Sequence, residues 1–429
     1  AYDYVLGEFI VKFKSTAADQ VKQAMLSESL QTGIMEIDAI NARYNINKFE
    51  RVFKNLDSGH ANMELAERIG ITRTYLLTLP EGERIPDAVA AYAALPHVEY
   101  AEPNYIDHVD LVSTDPTYEL QWGLNNTGQA IPFDEGDPVG TPGADINAEA
   151  AWDLHTGDET VVLAILDTGV DYDHPEFEGR TVDGYDTFDE DDDPMDFTGH
   201  GTCCAGIAAA SGDNGFGVAG VNWNCLIMPV KIGADGAENF THANGAEGMV
   251  WAADNGADIL SCSYGGTDSQ TKEDGATYAY EAGCVILASR GNNNNANDYF
   301  PASYDNVIAI GALSPCNDRK TPTTCDGEDW WGSSFTGIDV MAPGARIHTT
   351  DILEAGGYDD GDYHASFNGT SAACPFAAGV AALIRSYTPS LDNDEIAEAI
   401  RMSAVDIDEE GYDDNTGFGR LDALGALNY

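Results

Sequence analysis

Six short runs of apolar residues constrain the fold of this 429-residue chain more than any other feature. Each run is continuous rather than alternating, and Gly-rich turns or helical stretches such as Ala243–Ala253 separate the runs. Strands of this kind are typical of a parallel sheet that helices cover on both faces. We therefore expect an α/β domain with its site at the carboxyl ends of the strands. The runs are Val161–Leu166, Leu226–Ile232, Ile259–Ser263, Cys284–Ala288, Val307–Ile310 and Val340–Ala342.

A different pattern occupies residues 1–105. Alternating and helical spacings follow one another there in the order β-α-β-β-α-β, which predicts a small ferredoxin-like α+β domain. We expect residues 106–114 to be a linker and residues 115–429 to form the α/β domain, closed by a helix over Asp392–Met402. The predicted elements of the first domain are Gly7–Lys14, Ala17–Leu30, Asn45–Phe53, Thr74–Leu79, Pro86–Leu95 and Val98–Tyr105.

The charge of the chain limits its partners. The net charge is −53, and most of it lies after residue 110. Such a surface repels nucleic acid and anionic membranes, and no apolar run approaches the roughly 18 residues of a membrane helix. We expect neither kind of partner. The acidic surface fits a saline habitat, where repulsion is screened, or a solvated face in an ordinary one.

All eight cysteines lie from Cys203 onward. Cys316 and Cys325 flank a short polar loop, which predicts a disulfide and an oxidising, extracellular compartment. The spacing of Cys203-Cys204 does not fit a zinc pair. We interpret the remaining cysteines as mainly buried thiols. These are Cys203, Cys204, Cys225, Cys262, Cys284 and Cys374.

Three polar residues stand where strands end or helices begin. Asp167 follows the first apolar run, His200 precedes an Ala-rich helix, and Ser371 precedes the apolar run Phe376–Ile384, which reads as a buried helix with Pro375 in its first turn. Each has an ordinary explanation alone, such as a turn residue or a helix cap. Together they supply a nucleophile, a base and an orienting carboxylate.

The flanking residues carry a family resemblance. Asp167–Asp171, His174-Pro175, His200–Thr202 and Gly369–Ser371 resemble the subtilisin family of serine proteases, in the chain order Asp, His, Ser. The motifs are most similar to the thermitase and proteinase K branches. The likeness spans about residues 115–429.

The resemblance implies a zymogen. Residues 1–105, including the segment Leu95–Tyr105, resemble the family's inhibitory propeptide. That domain would act as an intramolecular inhibitor until the chain is cut within 106–114. We expect a secreted, monomeric endopeptidase that hydrolyses polypeptides. The alternatives are a catalytically idle peptide-binding scaffold and a calcium-binding structural protein.

The resemblance also implies roles for single residues. Ser371 would attack the peptide carbonyl, His200 would act as general base and then acid, and Asp167 would hold the imidazole. Asn292 would donate to the oxyanion together with the N–H of Ser371. The run Asn292–Asn295 leaves the register of that donor ambiguous.

Two segments, Ser263–Gly265 and Glu238–His242, resemble the extended segments that pair with substrate backbone on either side of the cleft. Tyr299 falls where the family sets the depth of its primary pocket, and we expect it to favour small side chains. Cys204 resembles the buried thiol of the proteinase K branch, whereas Cys203 and Cys374 could form a disulfide or pack as thiols. The expected substrate-binding residues are Ser263, Tyr264, Gly265, Asn239, Phe240, Thr241, Gly291 and Tyr299.

Two calcium sites are implied. An acidic stretch before His200 has a spacing that suits a hard cation and resembles a calcium loop of the thermitase branch, although such runs are more often solvated loops. A second set matches the family's strong calcium site. The expected ligands are Asp186, Asp189, Asp191 and Asp193 in the first site, and Asp115, Glu176, Asp213 and Asn214 in the second.

Overall fold

The computed structural model describes residues 4–27, 29–54, 56, 62–80, 84–105, 111–131, 139–354 and 356–429. The chain divides into two compact units, Ala1–His108 and Val109–Tyr429. The division falls inside the predicted linker 106–114, of which residues 106–110 lie outside the described residues. The N–H of Leu111 donates to Asp153 Oδ1 at 2.6 Å, so the chain is joined to the second unit from this point.

The first unit is built on an antiparallel sheet of four strands in the order β2-β3-β1-β4. This order, with a crossing helix after β1 and another after β3, is the ferredoxin-like arrangement that the sequence predicts. Its elements are β1 Tyr4–Phe13, α1 Ala18–Leu26, α2 Met35–Arg43, β2 Lys48–Arg51, α3 Met63–Ile69, β3 Thr74–Thr78, α4 Ile85–Ala93 and β4 Val98–Tyr105.

Two helices of this unit, α2 and α3, were not predicted. The first predicted helix, Ala17–Leu30, was too long, since α1 ends at Leu26 before a Ser-rich turn. Helix α2 buries only Ile37 and Asn41, so its apolar face is too narrow for a clear period.

The second unit contains a parallel sheet of seven strands in the order β11-β10-β9-β8-β5-β7-β6. Each of the six apolar runs forms one of its strands, as predicted. Its helices and strands begin with α5 Ala148–Trp152, β5 Val162–Asp167, β6 Tyr185–Asp186, α6 His200–Ala209, β7 Leu226–Lys231, α7 His242–Asp254, β8 Ile259–Cys262 and α8 Gln270–Glu281. They continue with β9 Val285–Ser289, β10 Ile308–Leu313, β11 Val340–Pro343, β12 Ile347–Thr350, β13 Tyr363–Phe367, α9 Thr370–Tyr387, α10 Asn393–Ser403 and α11 Ala423–Leu427.

Both faces of the sheet are buried, as the continuous apolar strands predict. Leu163 and Ile165 of β5 belong to a core with α6 and α9. Ala164 and Leu166, which point to the opposite face, belong to a second core with α7 and α8. Helix α9 is buried from Thr370 to Ile384, which confirms the central helix.

The cysteine predictions are confirmed where the structure tests them. Cys316 and Cys325 form a disulfide with their Cα atoms 6.3 Å apart. The other six cysteines are free and buried, so Cys203 and Cys374 pack as thiols. Within the described part of the chain, no helix is long and apolar enough to cross a membrane.

Candidate active site

Three elements of the second unit meet at one edge of the parallel sheet. Asp167 is the last residue of β5, His200 is the first residue of α6, and Ser371 is the second residue of α9. The imidazole Nδ1 of His200 lies 2.7 Å from Oδ1 of Asp167, although the two residues are far apart in sequence. The fold thus joins the carboxylate and the imidazole beside the serine.

Burial controls the charge of this pair. Asp167 is fully buried, and its Oδ1 also accepts the N–H of Thr168 at 2.8 Å. Burial lowers the pKa of His200, but the charge and hydrogen bond of Asp167, with Cys204 beside them, together raise it by more. The pKa of His200 is therefore well above its usual value. Below that pKa the imidazole is protonated and cannot accept a proton from Ser371.

The Ser371 hydroxyl points to another partner in this structure. Its Oγ donates to the carbonyl of Ser263 at 3.0 Å rather than to His200 within the described residues. Side-chain rotation about one bond redirects a serine hydroxyl. Catalytic hydrogen bonds in free enzymes are often long and tighten only when substrate binds. Both His200 and Ser371 line the same cleft.

Pro375 lies in the second turn of α9, not in the first turn as the sequence suggested, because the helix begins at Thr370. A proline has no N–H, so the carbonyl of Ser371, four residues earlier, has no helical donor. The hydroxyl of Ser263 at 3.0 Å and the thiol of Cys204 at 3.5 Å donate to that carbonyl instead. The carbonyl that proline leaves free thus connects the start of α9 to Ser263, directly after β8, and to Cys204 of α6.

Asn292 is the asparagine of its run that faces the nucleophile. Its Oδ1 accepts both the N–H of Thr370 at 2.8 Å and the hydroxyl of Thr370 at 2.9 Å. These donors fix the orientation of the Asn292 amide, because only its oxygen can accept a hydrogen bond. The amide nitrogen Nδ2 is then left as a donor toward the cleft that Asn292 lines. The N–H of Ser371 belongs to the first turn of α9, where a helix leaves its N–H groups free.

If Asn292 has the oxyanion role that the resemblance implies, replacing it by Ala should lower kcat about a hundredfold to a thousandfold with little change in KM, because such a donor would act on charge that develops only in the transition state. The measurement is steady-state hydrolysis of a chromogenic peptide. Asn297→Ala is the matched control, since Asn297 is exposed in the same loop, two residues after the run. An unchanged kcat in Asn292→Ala would exclude Asn292 as the oxyanion donor.

The cleft has a volume of about 520 Å³, and its lining includes residues from the segments that follow β7, β8 and β9. The ring of Phe240 meets that of Tyr264 edge to face, with centroids 5.5 Å apart, so the two expected substrate-binding segments touch each other. The expected residues that line the cleft are Ser263, Tyr264, Gly265, Asn239, Phe240 and Thr241.

Gly291 and Tyr299 flank the cleft instead of lining it. A Cβ placed on Gly291 would lie 2.9 Å from the Tyr299 ring, and one placed on Gly265 would lie 3.4 Å from Tyr299 Cβ. The phenol oxygen of Tyr299 accepts from Asn293 Nδ2 at 2.6 Å. The tyrosine therefore fills the space between the two glycine segments.

Eight further cleft residues were not predicted from the sequence. Most belong to β13 or to the loops beside it. The alternation of apolar and polar residues in Tyr363–Phe367 was a strand signal that our sequence analysis did not use. The adjacent Trp330-Trp331 pair was a second signal, and the structure leaves Trp330 70% exposed. These residues are Gly266, Lys272, Trp330, Tyr358, His364, Ser366, Phe367 and Asn368.

The second expected cation site is assembled from three segments, around Asp115, Glu176 and Asp213-Asn214. Oδ1 of Asp115 accepts the N–H groups of Asn214 at 3.0 Å and Gly215 at 2.9 Å, and Oδ2 accepts that of Asp213 at 2.7 Å. The amide of Asn214 donates to Oε2 of Glu176 at 2.7 Å.

Asp115 and Glu176 are 5% and 0% exposed, and neither carboxylate has an ion pair within the described chain. Burial raises the pKa of Glu176, and the charge of Asp115 adds to this shift. Buried carboxylates without a basic partner fit a hard cation, although the ligand oxygens of Asp115, Glu176 and Asp213 do not all lie within 4.8 Å of one another in this structure.

The acidic stretch before His200 does not form as expected. Asp186 is buried and lies 2.9 Å from Lys231 Nζ, which neutralises it, because β6 and β7 pair these two residues. This ion pair competes with a cation for the Asp186 carboxylate, so the assignment of Asp186 as a calcium ligand stays a prediction. The remaining members, Asp189, Asp191 and Asp193, are exposed. In the described chain, the one trio of acidic, His or Cys ligand atoms within 4.8 Å is that of Asp167, His200 and Cys204.

Comparison with known proteins agrees with this geometry. Residues 158–419 match the model of the Subtilase family, and residues 59–104 match that of the Fervidolysin N-terminal prodomain. The chain belongs to the subtilase family and is a subtilisin-like serine endopeptidase with an N-terminal prodomain.

One relative extends the match over almost the whole chain, and others cover about three quarters of it. A thermophilic serine proteinase of Bacillus sp. strain AK1 is 32% identical over 99% of this chain and 88% of its own length. A calcium-dependent protease of a Nostoc species is 37% identical over 72% of this chain and 51% of its own length. A solved protease structure from Pseudoalteromonas arctica has a TM-score of 0.60 at 26% identity, covering 74% of this chain and 99% of that one.

Proposed function

We propose that the protein is a secreted, calcium-stabilised zymogen that hydrolyses peptide bonds through Ser371, His200 and Asp167. The observation that carries this proposal is the 2.7 Å contact between Asp167 and His200 beside a serine in the same cleft. A binding scaffold or a calcium-binding structural protein would need neither this contact nor an oriented amide at Asn292.

The proposed reaction has two stages. Ser371 Oγ attacks the carbonyl carbon of the scissile peptide, His200 accepts the hydroxyl proton, and the carbonyl oxygen becomes an oxyanion. Asn292 Nδ2 and the N–H of Ser371 donate to that oxyanion. His200 then gives the proton to the leaving amine. Water, with its proton taken by His200, releases the acyl group and restores Ser371.

The primary pocket is proposed to accept small side chains. Tyr299 fills the space between Gly265 and Gly291, so a long side chain between these segments would meet its ring. Extended substrate backbone would pair with Ser263–Gly265 on one side and Asn239–Thr241 on the other. Backbone pairing of this kind tolerates varied sequences outside the pocket.

Calcium is proposed to bind at Asp115, Glu176, Asp213 and Asn214, where it would offset the buried charge. The Nostoc relative is named a calcium-dependent protease, which supports this. The exposed residues Asp189, Asp191 and Asp193 are the candidates for a second, weaker site, to which Asp186 would contribute only by giving up its ion pair with Lys231.

Chelation should lower the Tm by about 4 °C. A cation at about a hundred times its dissociation constant adds about 2.7 kcal/mol, and each kcal/mol shifts the Tm by about 1.5 °C in a unit as large as Val109–Tyr429. Scanning calorimetry of Ser371→Ala protein with calcium or with a chelator measures the shift. Asp115→Asn should remove most of it, and the exposed control Asp254→Asn should not. Equal Tm values for Ser371→Ala in both buffers would contradict the site.

The first domain is proposed to assist folding and to inhibit the enzyme until cleavage within 106–114. The disulfide Cys316–Cys325 supports an extracellular setting. Incubation of purified protein with calcium tests the zymogen directly. Mass spectrometry should find a new N-terminus within 106–114, together with hydrolysis of an unfolded protein. A chain that stays intact and hydrolyses nothing would contradict the proposal.

A further inference from the structure

A hydrogen bond joins two loops at one end of the cleft. The hydroxyl of Tyr358, in the loop between β12 and β13, donates to Oε1 of Glu238 at 2.6 Å. Glu238 lies between β7 and α7, and both residues line the cleft that contains His200 and Ser371.

This bridge lies beside the catalytic imidazole. A Cβ placed on Gly199 would be 3.4 Å from the ring of Tyr358. The Tyr358 ring packs against Phe367 with centroids 6.0 Å apart, and Phe367 packs edge to face on His200 at 5.2 Å. A substrate residue that binds beside this edge of the His200 ring would therefore contact Tyr358 and Glu238.

The bridge leaves a negative charge facing the cleft. Glu238 is exposed, and it has no basic partner among the described residues. Its bond to a neutral hydroxyl fixes the carboxylate without cancelling the charge, and Oε2 stays available. The one lysine that lines the described cleft, Lys272, is 3% exposed, and its Nζ donates to the carbonyls of Thr267 at 3.2 Å and Phe300 at 3.1 Å.

Aromatic rings adjoin this carboxylate. The hydroxyl of Tyr358 is hydrogen-bonded to the Glu238 carboxylate. Phe240, two residues after Glu238, lines the same cleft. A fixed carboxylate recognises an ammonium or guanidinium group by a charge-assisted hydrogen bond, and ring faces attract the same cations. A neutral side chain of the same length gains neither interaction.

We propose that Glu238 and Tyr358 form a subsite for an arginine or lysine side chain of the substrate, on the acyl side of the scissile bond. This inference rests on the proposed peptidase function and adds a charge preference to it. The basic residue would occupy a position other than the primary pocket, which Tyr299 narrows.

The test compares peptides that differ only in arginine or its neutral isostere citrulline, at each of the four residues before the scissile bond. The measured quantity is the ratio of kcat/KM between the two peptides, which cancels any change common to both. At one position the wild type should favour arginine about five- to tenfold at low salt. The preference should weaken as salt rises.

Two variants assign the preference to the pair. Glu238→Gln keeps the shape and an acceptor but removes the charge, so the ratio should fall to about one. Tyr358→Phe keeps the ring and the charge but frees the carboxylate, so the ratio should fall by about half. The matched control is Asp254→Asn, because Asp254 accepts from the hydroxyl of Tyr278 at 2.7 Å in an exposed pair outside the cleft. It should retain the wild-type ratio.

The outcomes separate the two proposals. Hydrolysis with a ratio near one at all four positions overturns the subsite and leaves the peptidase intact. An arginine preference that persists in Glu238→Gln also overturns the subsite and leaves the peptidase function intact. If wild-type protein cleaves none of the peptides and no unfolded protein, the proposed function fails and the subsite fails with it.

Discussion

Replacing Ser371 by Ala is expected to reduce kcat about a millionfold, as removal of the nucleophile does in subtilisin itself. The reason is that no other group in the proposed mechanism can form the acyl intermediate. Ser371 is 9% exposed, and its hydroxyl donates only to the Ser263 carbonyl, so alanine fits the site without a cavity of consequence. Hydrolysis of an unfolded protein and the mass of the chain after incubation measure the effect, and the variant should stay full length.

A serine at the other end of the same helix supplies the control. Ser386 is also buried in α9, and its hydroxyl donates to the carbonyl of Ala382 at 2.7 Å. Ser386→Ala should retain activity and self-cleavage. If Ser371→Ala keeps its circular dichroism spectrum and still hydrolyses protein at a comparable rate, Ser371 is not the nucleophile.

Replacing Asp167 by Asn is expected to lower kcat about ten-thousandfold, the scale found when the orienting carboxylate of a serine protease triad is made an amide. The amide has nearly the same size as the carboxylate, so packing at the end of β5 is kept. The amide cannot stabilise an imidazolium, and it favours the wrong tautomer of His200.

The same variant should also shift the pH profile. The negative charge of Asp167 raises the pKa of His200, so wild-type kcat/KM should rise with pH and level off above that pKa. Without the charge, burial lowers the pKa, and the residual activity of Asp167→Asn should level off at lower pH. Profiles of the two proteins test this, with Asp254→Asn as the exposed carboxylate control. Equal midpoints in all three would contradict the proposed role of Asp167.

The fold was largely predictable because its signals are local. Continuous apolar runs marked β5 and β7 through β11, and the buried faces of α9 followed from its all-round apolar sequence. Strand β6 was not predicted, because a strand of two residues is too short to show an apolar period. The hairpin of β12 and β13 was not predicted, although Tyr363–Phe367 alternates apolar and polar residues, because β12 is four residues long and three of its four residues are polar yet buried.

The site was predictable only where motif residues adjoin strand or helix ends. Asp167 and His200 met that condition, and the structure brings their side chains into contact. The ion pair of Asp186 with Lys231 could not be predicted, because it depends on the register between β6 and β7. The bridge of Tyr358 to Glu238 joins two loops more than a hundred residues apart, so no local spacing could indicate it.

Covalent labelling by a sulfonyl fluoride that reacts with activated serines tests the central claim most directly. Tandem mass spectrometry of the labelled protein should place one adduct on Ser371. The labelling rate should rise with pH through the His200 pKa, and it should fall by orders of magnitude in His200→Ala. An adduct on another serine, or equal labelling of Ser371 without the imidazole, would contradict a catalytic group formed by Asp167, His200 and Ser371.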